Sequence, residues 1–145
     1  MTVKRQRTVA ARPDAVWDLV SDPHHLPRWW PQVQRVEEVT GDGWTKVLRS
    51  KRGRTVRADY TRVSSRPPHE IVWRQEVEES PFEAILDESV TTIELDPAAG
   101  DATRVALRAD QQLRGRYRFG GFMLRRATRR QLDEALDGIE RAVGA

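Results

Sequence analysis

The sequence predicts an α+β fold in which a curved antiparallel sheet of seven strands wraps around a long C-terminal helix. Apolar and polar residues alternate in short runs from Val33 to Leu113, with turn residues between the runs, as in a meander of strands. An amphipathic pattern of helical period covers Leu124–Ala142. The chain has 145 residues, so we expect residues 1–145 to form a single domain with one core.

One strand and two helical segments precede the meander. Val3 to Ala11 alternates like a strand. Pro13 then opens a helix as its first residue, and the run Ser21-Asp22-Pro23 ends it. A second short helical segment, His24 to Trp30, is closed by Pro31.

Six strands follow, joined by short turns, and consecutive strands with short turns form an antiparallel sheet. Gly41-Asp42-Gly43 and Arg52-Gly53 are the clearest turns. The predicted order of elements is therefore β-αα-β6-α. The six predicted strands are Val33–Thr40, Trp44–Lys51, Thr55–Val63, Ile71–Val77, Phe82–Leu95 and Thr103–Leu113.

The last helix begins after the flexible pair Gly120-Gly121 and has one apolar stripe. This stripe must be buried against the concave face of the sheet, which is the largest apolar surface available. Any volume that the helix and the sheet leave unfilled becomes a cavity. The stripe consists of Leu124, Thr128, Leu132, Ala135, Ile139 and Ala142.

Composition excludes several kinds of site. The chain has no cysteine, which rules out disulfides, thiolate metal sites and cysteine nucleophiles. His24 and His25 are adjacent and diverge, and His69 is in a distant loop, so we expect no metal site and no cofactor. No GxSxG motif is present. No apolar run is long enough to cross a bilayer and no signal peptide is evident, so we expect no integral membrane segment and a cytoplasmic location.

Charge is unevenly distributed along the chain. Residues 1–66 have 14 basic and 7 acidic side chains, whereas residues 67–102 have 10 acidic side chains and only Arg74. This pattern predicts ion pairs between neighbouring strands. The basic run Lys46, Arg49, Lys51, Arg52, Arg54 and Arg57 matches no nucleic-acid motif, and we interpret it as a solvated face of the sheet. We therefore expect no nucleic-acid partner.

Three segments resemble one family. Ala11–Glu37 (ARPDAVWDLVSDPHHLPRWWPQVQRVE) has a Pro-opened helix with an early Trp, an Asp-Pro break and a Trp-Trp-Pro end. Ile71–Ile85 resembles that family's central hairpin and Leu124–Ala142 its closing helix. The family is the START-like helix-grip (SRPBCC) superfamily, in its polyketide cyclase/dehydrase-like branch. The resemblance implies a helix-grip fold and covers essentially the whole chain, but its members include carriers, enzymes and chaperone-activating domains, so it does not name the activity.

Strand alternation predicts which side chains line the interior. Ile71, Trp73, Gln75 and Val77 share one face, and the last strand presents Val105, Leu107, Ala109, Gln111 and Leu113. Gln75 and Gln111 are then polar groups on apolar rows, which bond either each other or a ligand. The predicted ligand-binding residues are Trp30, Tyr60, Trp73, Gln75, Leu86, Leu107, Gln111, Leu124, Thr128 and Leu132.

Two titratable groups are weak catalytic candidates. Glu88 belongs to the inner row of its strand if that row runs through Phe82, Ala84 and Leu86, whereas a bulge would place it in solvent. Tyr60 either orients a carbonyl or closes the cavity rim.

The preferred interpretation is that the cavity binds a hydrophobic small molecule such as a lipid, polyketide or aromatic compound. The alternative is a polyketide cyclase, aromatase or dehydratase acting in the same cavity. A third class is a chaperone-activating interaction module that uses the basic exterior of the sheet. The sequence leaves the oligomeric state open.

Overall fold

A computed structural model of the chain describes residues 1–50, 52–115 and 121–144. Strand β1 is followed by helix α1, a single 3₁₀ turn, the short helix α2, six further strands and helix α3. The bounds are β1 Thr2–Val9, α1 Pro13–Val20, the 3₁₀ turn Pro23–His25, α2 Leu26–Trp29, β2 Val33–Glu37, β3 Gly43–Arg49, β4 Thr55–Arg66, β5 Glu70–Gln75, β6 Leu86–Ala98, β7 Ala102–Leu113 and α3 Gly121–Val143.

The strands form one antiparallel sheet in the order β1-β7-β6-β5-β4-β3-β2. The first strand therefore pairs with the last, and the other five follow in chain order. This arrangement confirms the predicted α+β helix-grip fold and its β-αα-β6-α order. No helix in the described ranges is both long enough and apolar enough to span a bilayer.

Strand β6 departs most from its predicted bounds. It begins at Leu86 instead of Phe82, because turns around Ser80 occupy the preceding residues. The Ser80 N–H donates to Val77 O, and the Glu83 N–H donates to Ser80 O. The strand then continues to Ala98, through the first three residues of the loop predicted between Leu95 and Thr103. The predicted strand end at Lys51 and the predicted helix start at Gly120 lie outside the described residues.

Helix α3 lies across the concave face, as its stripe predicts. Leu132, Ala135 and Ile139 are fully buried, and Leu124 and Ala142 at the two ends are half-buried. The edge strand β1 is also tied to α3, since Arg5 Nε lies 2.8 Å from the Asp133 carboxylate and Arg7 pairs with Asp137.

Helices α2 and α3 approach each other closely at Gly138. A Cβ atom at this position would lie 2.2 Å from the carbonyl oxygen of Trp29. Only glycine therefore allows the backbone of α2 to rest directly on α3. This contact fixes the chain immediately before Trp30.

The uneven charge is balanced between neighbouring strands, as predicted. Arg114 is 2.7 Å from Asp87, and Arg104 of β7 is 3.6 Å from Asp96 of β6. Within residues 1–66, Arg57 of β4 is also 2.7 Å from Glu37 of β2, across the intervening strand β3. These exposed pairs contribute little stability individually, about 0–1 kcal/mol.

Candidate functional site

A cavity of about 420 Å³ lies between the concave face of the sheet and the first half of α3. Its inner wall is formed by β4–β7, and exposed or half-buried residues before β6 and on α3 form its mouth. The lining residues are Trp30, Pro31, Gln32, Leu48, Tyr60, Gln75, Phe82, Ile85, Leu86, Ser89, Thr91, Ala109, Gln111, Leu124, Ala127, Thr128, Arg130, Gln131, Leu132 and Glu134.

Eight of the ten predicted ligand-binding residues line this cavity: Trp30, Tyr60, Gln75, Leu86, Gln111, Leu124, Thr128 and Leu132. The other two, Trp73 and Leu107, are not part of the wall. Both face inward as predicted, but both are packed within the core, with exposed fractions of 2% and 0%. Alternation therefore identified the inward faces of β5 and β7, but it did not show how far along these strands the cavity extends.

The two glutamines on the inner rows do not bond each other. Gln111 Oε1 accepts a hydrogen bond from Thr128 Oγ1 at 3.3 Å, which links β7 to α3 across the cavity. Gln75 Nε2 is buried and has no hydrogen-bond partner among the described residues. An unpartnered buried amide costs about 1–3 kcal/mol. Of the two, Gln75 is therefore the one with an unused donor at the cavity wall.

Glu88 is not part of the cavity wall. The pairing of β6 with β7 shifts between Leu86 and Glu88, so a bulge at Asp87 changes the phase of the strand. Leu86, Ser89 and Thr91 consequently face the cavity, and Glu88 points to the opposite side. Of the two alternatives for Glu88, the structure agrees with the bulge and not with an inner row through Phe82, Ala84 and Leu86.

Aromatic side chains form one end of the cavity. Tyr60 stacks on Trp44 with ring centroids 6.0 Å apart, and Trp73 meets both rings edge-on. Trp30 packs against Trp73 at 5.8 Å and against Trp29 at 5.5 Å. Such pairs contribute about 0.5–1.5 kcal/mol each beyond their buried area. The cluster gives the cavity a rigid, flat-walled end.

Lys46 is inside this aromatic cluster. Its Nζ lies 4.2 Å from the ring centroid of Trp30, 4.2 Å from that of Tyr60 and 4.9 Å from that of Trp73. The side chain is 1% exposed, and Nζ has no hydrogen-bond partner among the described residues. The interpretation of Lys46 as part of a solvated basic face was therefore wrong. It alternates with Trp44 and Leu48 on β3 and so shares their inward face.

Burial determines the protonation of both titratable groups in the cluster. Removal from water disfavours a charged amine, and it lowers the pKa of Lys46 to about 7. The same effect raises the pKa of Tyr60, so its phenol stays neutral. At neutral pH the cluster thus holds a phenol beside an amine that readily gains or loses a proton, a combination suited to binding or protonating an oxygen atom.

Sequence reasoning missed several members of the wall, including Leu48, Ser89 and Thr91. The Trp44-x-Lys46-x-Leu48 alternation was the signal for Leu48 and Lys46, because two large apolar residues flank the lysine at period two. Ser89 and Thr91 depend on the bulge at Asp87, for which the sequence has no clear signal.

A second depression, of about 600 Å³, lies at the surface where α3 begins. Asp87, Gln112 and Arg125 are among its lining residues, together with the exposed Phe122. None of the predicted site residues is among the described residues that line it.

Comparison with known proteins agrees with this architecture. The family model described as "Polyketide cyclase / dehydrase and lipid transport" matches residues 1–144. No curated protein matches the chain in sequence. A START superfamily protein from Mycobacterium smegmatis has a TM-score of 0.81 at 14% identity, over 99% of this chain and 97% of its own.

Two further solved structures are similar to this chain. The Zhui aromatase/cyclase from a Streptomyces species has a TM-score of 0.81 at 18% identity, over 98% of this chain and 92% of that one. The di-domain ARO/CYC StfQ, from the steffimycin biosynthetic pathway, has a TM-score of 0.77 at 16% identity, over 97% of this chain and 49% of that one. At these identities the likeness establishes the fold alone.

Proposed function

The chain belongs to the polyketide cyclase/dehydrase and lipid transport family, and from this premise we propose that it binds a hydrophobic small molecule, namely a lipid, polyketide or aromatic compound, in the cavity between the sheet and α3. The observation that carries the proposal is the cavity itself: about 420 Å³ of space, walled mainly by apolar and aromatic side chains with a few polar groups. Small-molecule sites are typically of this size and composition.

The polar side chains in the cavity wall orient the bound ligand. Gln75 has an unused amide donor, and Gln111 and Thr128 already bond each other. A ligand with an acceptor atom opposite Gln75 would satisfy that donor, while its apolar body displaces water from Leu86, Leu124 and Leu132. Binding then combines apolar burial, about 25 cal/mol per Å², with one oriented hydrogen bond.

Native mass spectrometry of freshly purified protein tests for a retained ligand, and a neutral solvatochromic dye such as Nile red tests for the cavity. Ala109 is a buried member of the wall, and Phe at this position fills the space. We expect Ala109→Phe to weaken dye binding at least tenfold. Ala10→Phe is the matched control, since Ala10 is exposed in a loop away from the cavity. Equal dye affinity in Ala109→Phe and wild type would contradict the proposal.

Gln75→Leu tests the orienting role separately. The substitution removes a buried unpartnered donor, so we expect the fold to be retained and the retention of a verified ligand to change. The fold is checked by thermal unfolding and the ligand by native mass spectrometry. Identical retention in the variant would remove Gln75 from the site.

A second candidate function is catalysis of cyclisation, aromatisation or dehydration on a polyketide in the same cavity. The observation in its favour is the proximity of two titratable side chains at the aromatic end, where Lys46 Nζ lies 4.2 Å from the ring centroid of Tyr60. Turnover of a poly-β-keto thioester mimic, followed by liquid chromatography and mass spectrometry, distinguishes it from binding. We expect an enzyme to yield a cyclised or dehydrated product whose formation is lost in Lys46→Met and Tyr60→Phe, whereas a carrier returns the substrate unchanged.

A further inference from the structure

The buried polar atoms without partners are all of one kind. Among the described residues they are the indole Nε1 atoms of Trp29, Trp44 and Trp73, the Nζ of Lys46 and the Nε2 of Gln75. Each of these atoms is a hydrogen-bond donor when Lys46 is protonated, and none is an oxygen. A cluster of buried donors without partners is complementary to a ligand group that brings acceptors.

Most of these donors are at the same end of the cavity. Trp44 and Trp73 pack edge to face at 5.6 Å, and Lys46 Nζ lies over Trp73. Tyr60 is paired with Gln75 in the β4–β5 ladder, so Gln75 is beside the same cluster. Lys46 and Gln75, with Trp44 and Trp73, therefore form what we call the donor cluster.

Two rings separate Lys46 from the cavity. Trp30 and Tyr60 both line the cavity and both hold Nζ at 4.2 Å from their ring centroids, so the amine is directly behind the wall. The lysine side chain has four rotatable bonds, so Nζ can shift relative to the two rings. Among the described residues, the contacts of Nζ are ring faces, and these replace water incompletely for an ammonium.

Resting on the proposed binding function, we propose that the donor cluster is a subsite for an acidic oxygen, and that the ligand is therefore a planar hydrophobic molecule carrying a carboxylate or an enolate. Lys46 donates to the anionic oxygen, and Gln75 donates to it or to a neighbouring acceptor. The rest of the ligand occupies the apolar cavity toward α3.

Within the donor cluster, Lys46 is the residue whose charge changes between pH 6 and pH 9. Tyr60 is the titratable residue that contacts Lys46, and burial raises the pKa of its phenol. On β4, Arg57 pairs with Glu37 and Asp59 accepts from Thr45, all on the outer side of the sheet. Arg130 and Glu134 line the cavity from α3. Because the pKa of Lys46 is about 7 in the empty site, the amine is mostly protonated at pH 6 and mostly neutral at pH 9.

Two matched fluorescent probes, 2-naphthoate and the neutral 2-naphthamide, test the proposal on the full chain. We expect wild type at pH 6 to bind naphthoate at least tenfold more tightly than naphthamide. The dissociation constant for naphthoate is expected to rise at least tenfold between pH 6 and pH 9, while that for naphthamide stays constant. In Lys46→Met both the preference for naphthoate and its pH dependence are lost, and naphthamide binding is retained.

Arg130→Gln is the control for a carboxylate held at the mouth of the cavity, and we expect it to keep the preference of wild type. Loss of the preference in Arg130→Gln with retention in Lys46→Met overturns the subsite. Equal binding of both probes by wild type at pH 6 also overturns it, but leaves the proposed binding function intact. Failure of wild type to bind either probe contradicts both proposals.

Discussion

The interior has a packed half and an open half, and the same three elements build both. In the packed half, β6 contributes Ile93 and Leu95, β7 contributes Val105 and Leu107, and α3 contributes Ile139. All are at most 1% exposed.

In the open half, the same inner rows continue with smaller or polar side chains. Strand β6 contributes Ser89 and Thr91, β7 contributes Ala109 and Gln111, and α3 contributes Thr128. Three rows thus lose bulk or gain polarity in the same direction, and the space between the helix and the sheet is no longer filled. Much of the cavity therefore follows from side-chain size along continuous elements.

The largest expected effect comes from placing a charge where the two halves meet. Leu132 is fully buried and lines the cavity on one side. Leu132→Asp introduces an unpaired buried carboxylate and removes apolar contacts, which together cost several kcal/mol, comparable with the whole stability of a domain of this size. We expect the variant to be unfolded by circular dichroism, and Leu132→Met to melt close to wild type. A normal melt for Leu132→Asp would show that α3 does not cover the sheet.

A smaller effect is expected from the Lys46 amine at the aromatic end of the cavity. The pKa of this amine falls from the ordinary 10.5 to about 7 in the folded state, so between pH 7 and pH 10.5 the unfolded chain binds more protons than the folded chain. Stability due to this group therefore rises with pH from about 7 to about 10.5, and it is lowest below pH 7.

At about 1.4 kcal/mol per pKa unit, Lys46→Met is expected to be more stable than wild type at pH 6 by up to about 5 kcal/mol. The advantage should shrink toward pH 10. Urea unfolding of both proteins at pH 6 and pH 9 measures the difference. An advantage of equal size at the two pH values would mean that the amine is solvated in the folded protein.

The smallest expected effect is the difference in lost stability between two leucine-to-alanine substitutions, one in each half. Leu107 has neighbours on all sides, whereas Leu86 faces the cavity. Leu107→Ala should cost about 2–5 kcal/mol, and Leu86→Ala should lie at or below the low end of that range because part of its surface has no contacts to lose. Urea unfolding again provides the measurement. Equal losses at the two positions would indicate that the open half is as tightly packed as the other.

The sequence was sufficient for the fold and for the faces of most strands. The stripe on α3 and the seven strands follow from periodicity, because periodicity reports which side of an element is buried. Periodicity alone does not report depth along the element, and Trp73 and Leu107 were assigned to the cavity wall for that reason.

Two side chains illustrate more specific causes. The sequence left Glu88 open between the inner row and solvent, because a single extra residue at Asp87 reverses the alternation and no residue type marks that bulge. Lys46 was grouped with its basic neighbours in the sequence, although Arg49 is exposed and Lys46 is buried. Local charge composition was given more weight there than alternation with Trp44 and Leu48, which would have placed the side chain correctly.

The close contact at Gly138 also affects the aromatic end of the cavity. Since the Trp29 carbonyl rests where a side chain would otherwise begin, a single methyl group at position 138 would lift α2 away from α3. Trp30 is the next residue, so its indole would move with α2, withdrawing one of the rings that hide the lysine. The absence of a side chain at Gly138, in the second half of α3, thus helps to keep the Lys46 amine covered by Trp30.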